Sequence, residues 1–290
     1  MLYRRRDIPA LTAALALLAF SGGGCAHVAP AEAAESRLRR EVREHTGFRR
    51  IRAVEYLGNA PADLPADSPD PKVRIGQLRV RYAGGDRAAA EPIRRAALSA
   101  GAPEQLHGLE AAAKCGIAFD GEDRAALRRI AGSDWQYGAG YANWILAAAG
   151  DAEALARLDA WIVTGGGNGA ISAYAAGYLP AMPERRAEAL KKRLASGTAG
   201  EQAFSLWALA RHGKVDAAAV KKYYEKWRDR SEGTRRFALL AVGETGSVED
   251  LPFLLNIMEN GDEPEAANAA AAAILRISRR GSEARGGSKR

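Results

Sequence analysis

Side chains equipped for chemistry are thinly spread along this 290-residue chain. Of its four histidines, His27 and His45 come early, while His107 and His212 each stand alone. No HExxH, CxxC or GxSxG motif occurs, so neither a zinc site nor an activated nucleophile is expected. His212 precedes Gly213 at a turn, where a solvated or carbonyl-bonding role is expected. Cys115, in LEAAAKCGIAF, reads as a small core hydrophobe; reactivity would need a low-pKa setting, and the adjacent Lys114 points elsewhere on a helix. The run Gly165-Gly166-Gly167-Asn168-Gly169 has the glycine content of a phosphate cradle. It follows a helix instead of a strand and lacks the Lys-Ser/Thr ending, so it reads as a connection. The carboxylates Asp86, Asp123, Asp151, Glu184, Asp216 and Glu249 stand at helix starts, where they complement the helix dipole. No catalytic residue, metal or cofactor is expected.

The remaining candidates are basic. Arg94-Arg95, Arg128-Arg129, Lys191-Lys192 and Lys221-Lys222 recur at nearly matching depth in successive helices, and Arg157 stands near a missing pair. On one face they would form a ladder able to grip a polyanion, with salt-sensitive affinity. Two facts favour a plain solvated face. The pairs occupy the later halves of their helices, where the dipole favours positive charge anyway. Most of the formal charge of +7 also lies outside the helical array, in the flanking segments.

The elements that position these residues are clearest from Thr234 to Arg279. Phe237, Leu240 and Ala241 lie at helical spacing, a Gly246 turn follows, and Leu251, Leu254, Leu255 and Met258 repeat the spacing. Ser247 is placed to cap the second helix, with Glu249 and Asp250 in its first turn. This stretch, read as ALLAVGETG, DLPFLL and AAAAIL, resembles a bacterial HEAT-like repeat of the bilin-lyase type. From Lys72 the pattern returns at a period of roughly 29 to 36 residues, within the range of helical solenoids. Its turns fall at Gly85, Gly121, Gly150, Pro180–Pro183, Gly213 and Gly246. The expected fold is therefore all-α: an α-solenoid of about six HEAT-like helix pairs over residues 72–278, with 266–277 as a closing helix. The large side chains Trp144, Trp161, Leu206, Trp207 and Trp227 are expected between layers. Residues 279–290, basic and Gly/Ser-rich, are expected to be a disordered tail.

The resemblance carries implications of its own. In HEAT-type solenoids the second helices usually line the concave side, which would make the basic pairs a groove. HEAT-like DNA glycosylases grip the phosphate backbone in such a groove. HEAT-type hydroxylases carry repeated His-Glu pairs, and these are missing here; no residue here would carry a bilin-lyase activity.

The chain opens differently. Arg4, Arg5 and Arg6 precede the apolar run Ile8–Phe20, which is too short for a bilayer of about 30 Å but suits a signal-peptide core. Ser21-Gly22-Gly23-Gly24-Cys25 resembles a bacterial lipoprotein signal, although Gly22 stands where that family prefers an aliphatic residue. Residues 1–24 are thus expected to be a signal peptide and Cys25 the lipidation site. Residues 25–71 are expected to hold a Pro/Ala/Glu spacer, a basic helix that caps the first repeat, and a Pro/Asp-rich loop. Ala26 after the cysteine implies the outer membrane as destination. The expected function is a non-catalytic protein–protein interaction scaffold of the cell envelope, exported and lipid-anchored, holding another envelope protein. A basic-groove polyanion or nucleic-acid binder is the alternative.

Overall fold

The computed structural model describes residues 29–58, 68–165, 168–261 and 263–286. The expected signal peptide and Cys25 lie outside these residues. Every regular element within them is helical.

Two helices come first, α1 (Pro30–Glu44) and α2 (Gly47–Leu57). Six pairs follow: α3 (Pro71–Ala83) with α4 (Ala90–Ala97), α5 (Ala102–Cys115) with α6 (Gly121–Ala131), α7 (Gln136–Ala148) with α8 (Ala152–Thr164), α9 (Gly169–Ala176) with α10 (Glu184–Ser196), α11 (Ala199–Arg211) with α12 (Ala217–Lys226), and α13 (Glu232–Thr245) with α14 (Leu251–Asn260). The last helix is α15 (Pro264–Gly286). Five of the six expected turns lie between the two helices of a pair, and the sixth, Gly121, is the first residue of α6.

Local chemistry sets the helix starts. Asp151 accepts the Ala154 N–H at 3.1 Å and Asp216 the Ala219 N–H at 2.7 Å, each satisfying a donor with no helical partner. Thr198 and Glu201 form a reciprocal capping box at α11, and Ser247 with Asp250 forms another ahead of α14. Pro252 sits in the first turn of α14, where its missing N–H breaks no bond.

Packing places the helices in two layers. The first helix of each pair touches the first helix of the next, so α3, α5, α7, α9, α11, α13 and α15 form a continuous inner row. These helices run in parallel. Near their starts, Arg236 of α13 bonds Glu265 of α15; near their ends, Arg280 of α15 donates to the Gly246 carbonyl just beyond α13. The closest approach is between α13 and α15, where a Cβ on Gly243 would lie 2.9 Å from the Ala273 Cα. Only glycine admits α15 there, and α15 is itself rich in small residues, with Ala267, Ala269, Ala270 and Ala271 fully buried among its neighbours.

The row is closed. Helix α2 packs between α15 and α3 as a further inner helix, and α1 covers α15 and α14 from outside. The seam is specific: Arg37 bonds the Asn268 Oδ1 at 3.0 Å and the Met258 carbonyl at 3.2 Å, and Arg279 donates to the Leu57 carbonyl at 2.8 Å. Helix α1 thus supplies the outer partner that α15 lacks in its own stretch of sequence. The buried residues fall into two clusters, one spanning α3 to α9 and one joining α1 and α2 to α8–α15.

Three expectations change. The Pro/Ala/Glu spacer is the first turn of α1, with Ala34 fully buried. The basic tail does not begin at 279, because α15 runs on to Gly286 and Arg279 and Arg280 anchor it to the seam and to α13. Leu240 is only half-buried, whereas Leu239 is fully buried, so the apolar stripe of α13 centres one residue earlier.

Candidate binding cavity and the outer basic face

The inner helices surround a cavity of about 700 Å³ whose lining comes from α2, α3, α5, α9, α11, α13 and α15. Residues reach it at helical spacing: His107, Glu110 and Lys114 from α5; Arg236, Leu240 and Glu244 from α13; Arg276, Arg280 and Glu283 from α15. Eight Lys and Arg side chains line it against four Glu, an excess of positive charge.

One wall is aromatic. Tyr174 packs edge-on to Tyr178 at 5.3 Å, both lie near Trp207 at 5.1 and 5.2 Å, and Phe237 continues the wall to α13. Trp144 of α7 backs it from the core, 4.9 Å from Tyr178. Burial pushes the phenols of Tyr141, Tyr174 and Tyr178 above the usual range, so they stay neutral hydroxyls. Tyr56, on α2, is raised to about 12 for the same reason.

Most charges inside are paired. Glu110 lies 2.6 Å from Lys114 and 3.7 Å from His107. Burial alone would raise its carboxyl, but the Lys114 ammonium, His107 and the Arg79 guanidinium hold it well below the usual range. Arg79 is almost wholly buried and pairs with Glu55, while Arg52 and Arg236 share Glu265. Glu244, 6 % exposed, meets Arg276 at 2.6 Å. Burial nevertheless raises its carboxyl, and burial together with the repulsion of Arg211 and Arg280 lowers the Arg276 guanidinium. Arg211 itself has no hydrogen bond or ion pair among the described residues. It lies over the rings of Tyr178 and Trp207, 5.0 and 5.3 Å from their centroids.

The basic pairs sit elsewhere. Arg94 and Arg95 are on α4, Arg128 and Arg129 on α6, Arg157 on α8, Lys191 and Lys192 on α10, and Lys221 and Lys222 on α12, all in the outer layer. The second helices therefore do not line the enclosed side, contrary to the expectation drawn from HEAT-type solenoids. In three pairs one member ties its helix to the next. Arg94 reaches 4.0 Å from Asp123, Arg128 lies 3.1 Å from Asp151, and Lys221 lies 2.6 Å from Asp250. These acceptors stand at the starts of the following outer helices, so the charges act as struts between neighbours. Arg157 pairs with Glu153 and donates to the Ala131 carbonyl, and Lys191 pairs with Glu188. Arg95, Arg129, Lys192 and Lys222 remain exposed.

The other candidates have structural settings. Gly165 and Gly169 meet Glu201 and Arg193 so closely that a Cβ on Gly169 would lie 2.4 Å from the Glu201 Oε1. Arg193 meanwhile bonds the Ile162 carbonyl at 2.7 Å, so this part of the glycine run lies against the cap of α11 and the end of α8. The Nε2 of His212 lies 3.0 Å from the Ala176 carbonyl, and burial lowers its pKa. Burial pushes the Cys115 thiol up to about 11, which leaves almost no thiolate near neutral pH. Among the described residues no group of three or more His, Cys, Asp or Glu is placed to hold a metal ion, and no helix is long and apolar enough to cross a membrane.

The cavity escapes a reading along the chain because its lining runs from Phe48 to Glu283. The available signal is one charge interrupting an apolar first helix, as with Lys114 in AAAKC, Arg211 in LARHG and Arg276 in ILRIS. No family model matches the chain, and no curated protein matches it significantly.

Proposed function

We propose that this chain is a non-catalytic binding protein of the bacterial cell envelope, a HEAT-like α-solenoid closed on itself, exported and anchored through a lipid on Cys25. Its role is that of a scaffold holding another envelope protein, and the working surface is the central cavity. The observation that supports this reading is the cavity lining. The cations of the lining outnumber its carboxylates, and one of them, Arg211, lies over aromatic rings with no hydrogen bond or ion pair among the described residues. The cleft therefore suits an anionic group, and perturbed groups gathered in one cleft mark functional sites. The alternative, a polyanion or nucleic-acid binder using the outer basic pairs, draws less support because several of those side chains brace neighbouring helices.

Two variants test the choice. Ala272→Trp fills the cavity from its half-buried lining position. Charge reversal at Arg128, Arg129, Lys191 and Lys192 alters only the outer face. Affinity capture from the native host's envelope should lose its specific partner with the first variant and retain it with the second. The opposite pattern, with helix content intact in both, favours the outer face and overturns the proposal.

A further inference from the structure

Because the inner helices run in parallel, all their C-terminal ends open on the same mouth of the cavity. Lys114, Arg211, Arg276 and Arg280 gather there from α5, α11 and α15, with Glu244 between them. Part of this charge offsets the negative ends of the helices. Arg211, in the last turn of α11, shares that task and differs from the others in its setting. Its guanidinium lies over the rings of Tyr178 and Trp207 and makes no hydrogen bond or ion pair among the described residues, whereas Arg276 pairs with Glu244 and Lys114 with Glu110. A planar fork of N–H donors oriented by an aromatic shelf suits a carboxylate or phosphate.

Two neighbouring features narrow the choice. Glu244, Glu110 and Glu283 line the same cavity, and three carboxylates oppose a dianionic phosphate more strongly than a monoanionic carboxylate. Leu240, Gly243, Ala272 and Ala273 add apolar surface to the same lining, along with the ring of Tyr174. A ligand there gains from an apolar body attached to its acid, and the volume is in the range of small-ligand sites.

We infer that this mouth binds a carboxylate carried on an apolar or aromatic body, with the acid on Arg211 and the body along Leu240 and Ala273. The inference rests on the cavity being the working surface. Its source is a free aromatic or aliphatic acid, or an acidic chain terminus of the envelope partner, and the recognising chemistry is the same for both.

Calorimetric titration of the folded chain tests it with matched probes: naphthalene-2-carboxylate against naphthalene-2-carboxamide, and the tripeptide Gly-Gly-Phe as free acid against its C-terminal amide. At least one acid should bind at one site while its amide binds at least about tenfold more weakly, the worth of one charge-assisted hydrogen-bonded pair. Arg211→Met should weaken the acid by a similar factor, and Arg129→Met on the outer layer should leave it unchanged. Preference for the naphthoate identifies a free acid as the source, and preference for the peptide identifies a chain terminus. Equal binding of acid and amide, indifference to Arg211→Met, or no binding by any probe overturns the inference. Loss of partner capture on filling the cavity, together with indifference to Arg211→Met, would retain the scaffold reading and reject the acid anchor alone.

Discussion

Closure of the ring through α1 makes a sharp energetic prediction. Leu38 is fully buried in the core that α1 shares with α14 and α15. Truncation to Ala removes three carbon atoms from a packed site and leaves a cavity, at a cost of about 2–5 kcal/mol. In an open array each repeat leans only on its neighbours, so a lesion in the first helix frays that end and spares the far one. Here the same helix covers α15, so the loss falls on both ends of the chain. A cost of about 3 kcal/mol corresponds to a drop in melting temperature of roughly 6–12 °C for a domain of this size. Scanning calorimetry reads the shift, and native-state hydrogen exchange locates it. Amides of α2, α13 and α15 should lose protection together in Leu38→Ala. A change confined to α1, with α15 as protected as in the wild type, would refute the closure argument.

Other consequences are equally direct. Leu239→Asp places an unpaired charge in a fully buried position and should cost several kcal/mol, whereas Leu240→Asp at the cavity wall should cost markedly less; equal losses in urea denaturation would show that the register given to α13 is wrong. The Glu110 carboxyl is held below its unfolded value, so its ionised form stabilises the fold above about pH 4.5 and that contribution disappears as the pH falls toward its folded pKa. Glu110→Gln should therefore be less stable than wild type at pH 7, with the gap narrowing from about pH 5 downward; a gap independent of pH would contradict the assignment. Labelling with a fatty-acid analogue should mark the wild type and not Cys25→Ser, and persistent label in the variant would reject the anchor.

The sequence displays its helix pairs because each turn is marked by local chemistry: glycine at 85, 121, 150, 213 and 246, prolines at 180 and 183, and Asp or Ser caps soon after. Such signals act over a few residues and survive without tertiary context. Ring closure has no local signal. Arg37 meets Asn268 across 231 positions, and nothing near either residue announces the other. The spacer expected at Ala29–Ala34 is composed of Pro, Ala and Glu, which also suit the first turn of a helix, and only the groove over α15 decides between the two. The basic tail fails for a similar reason, since Arg279 and Arg280 look solvated until their carbonyl partners at Leu57 and Gly246 are in place. The basic pairs were visible as a pattern, but their side of the array depends on which helix of each pair faces inward.

Site-specific photocrosslinking in the living host tests the central claim most directly. A photoreactive residue at Tyr178, on the cavity wall, should trap one discrete envelope partner, and the same residue at Lys192, on the outer layer, should trap none. Capture from Lys192 and silence from Tyr178 would contradict the account.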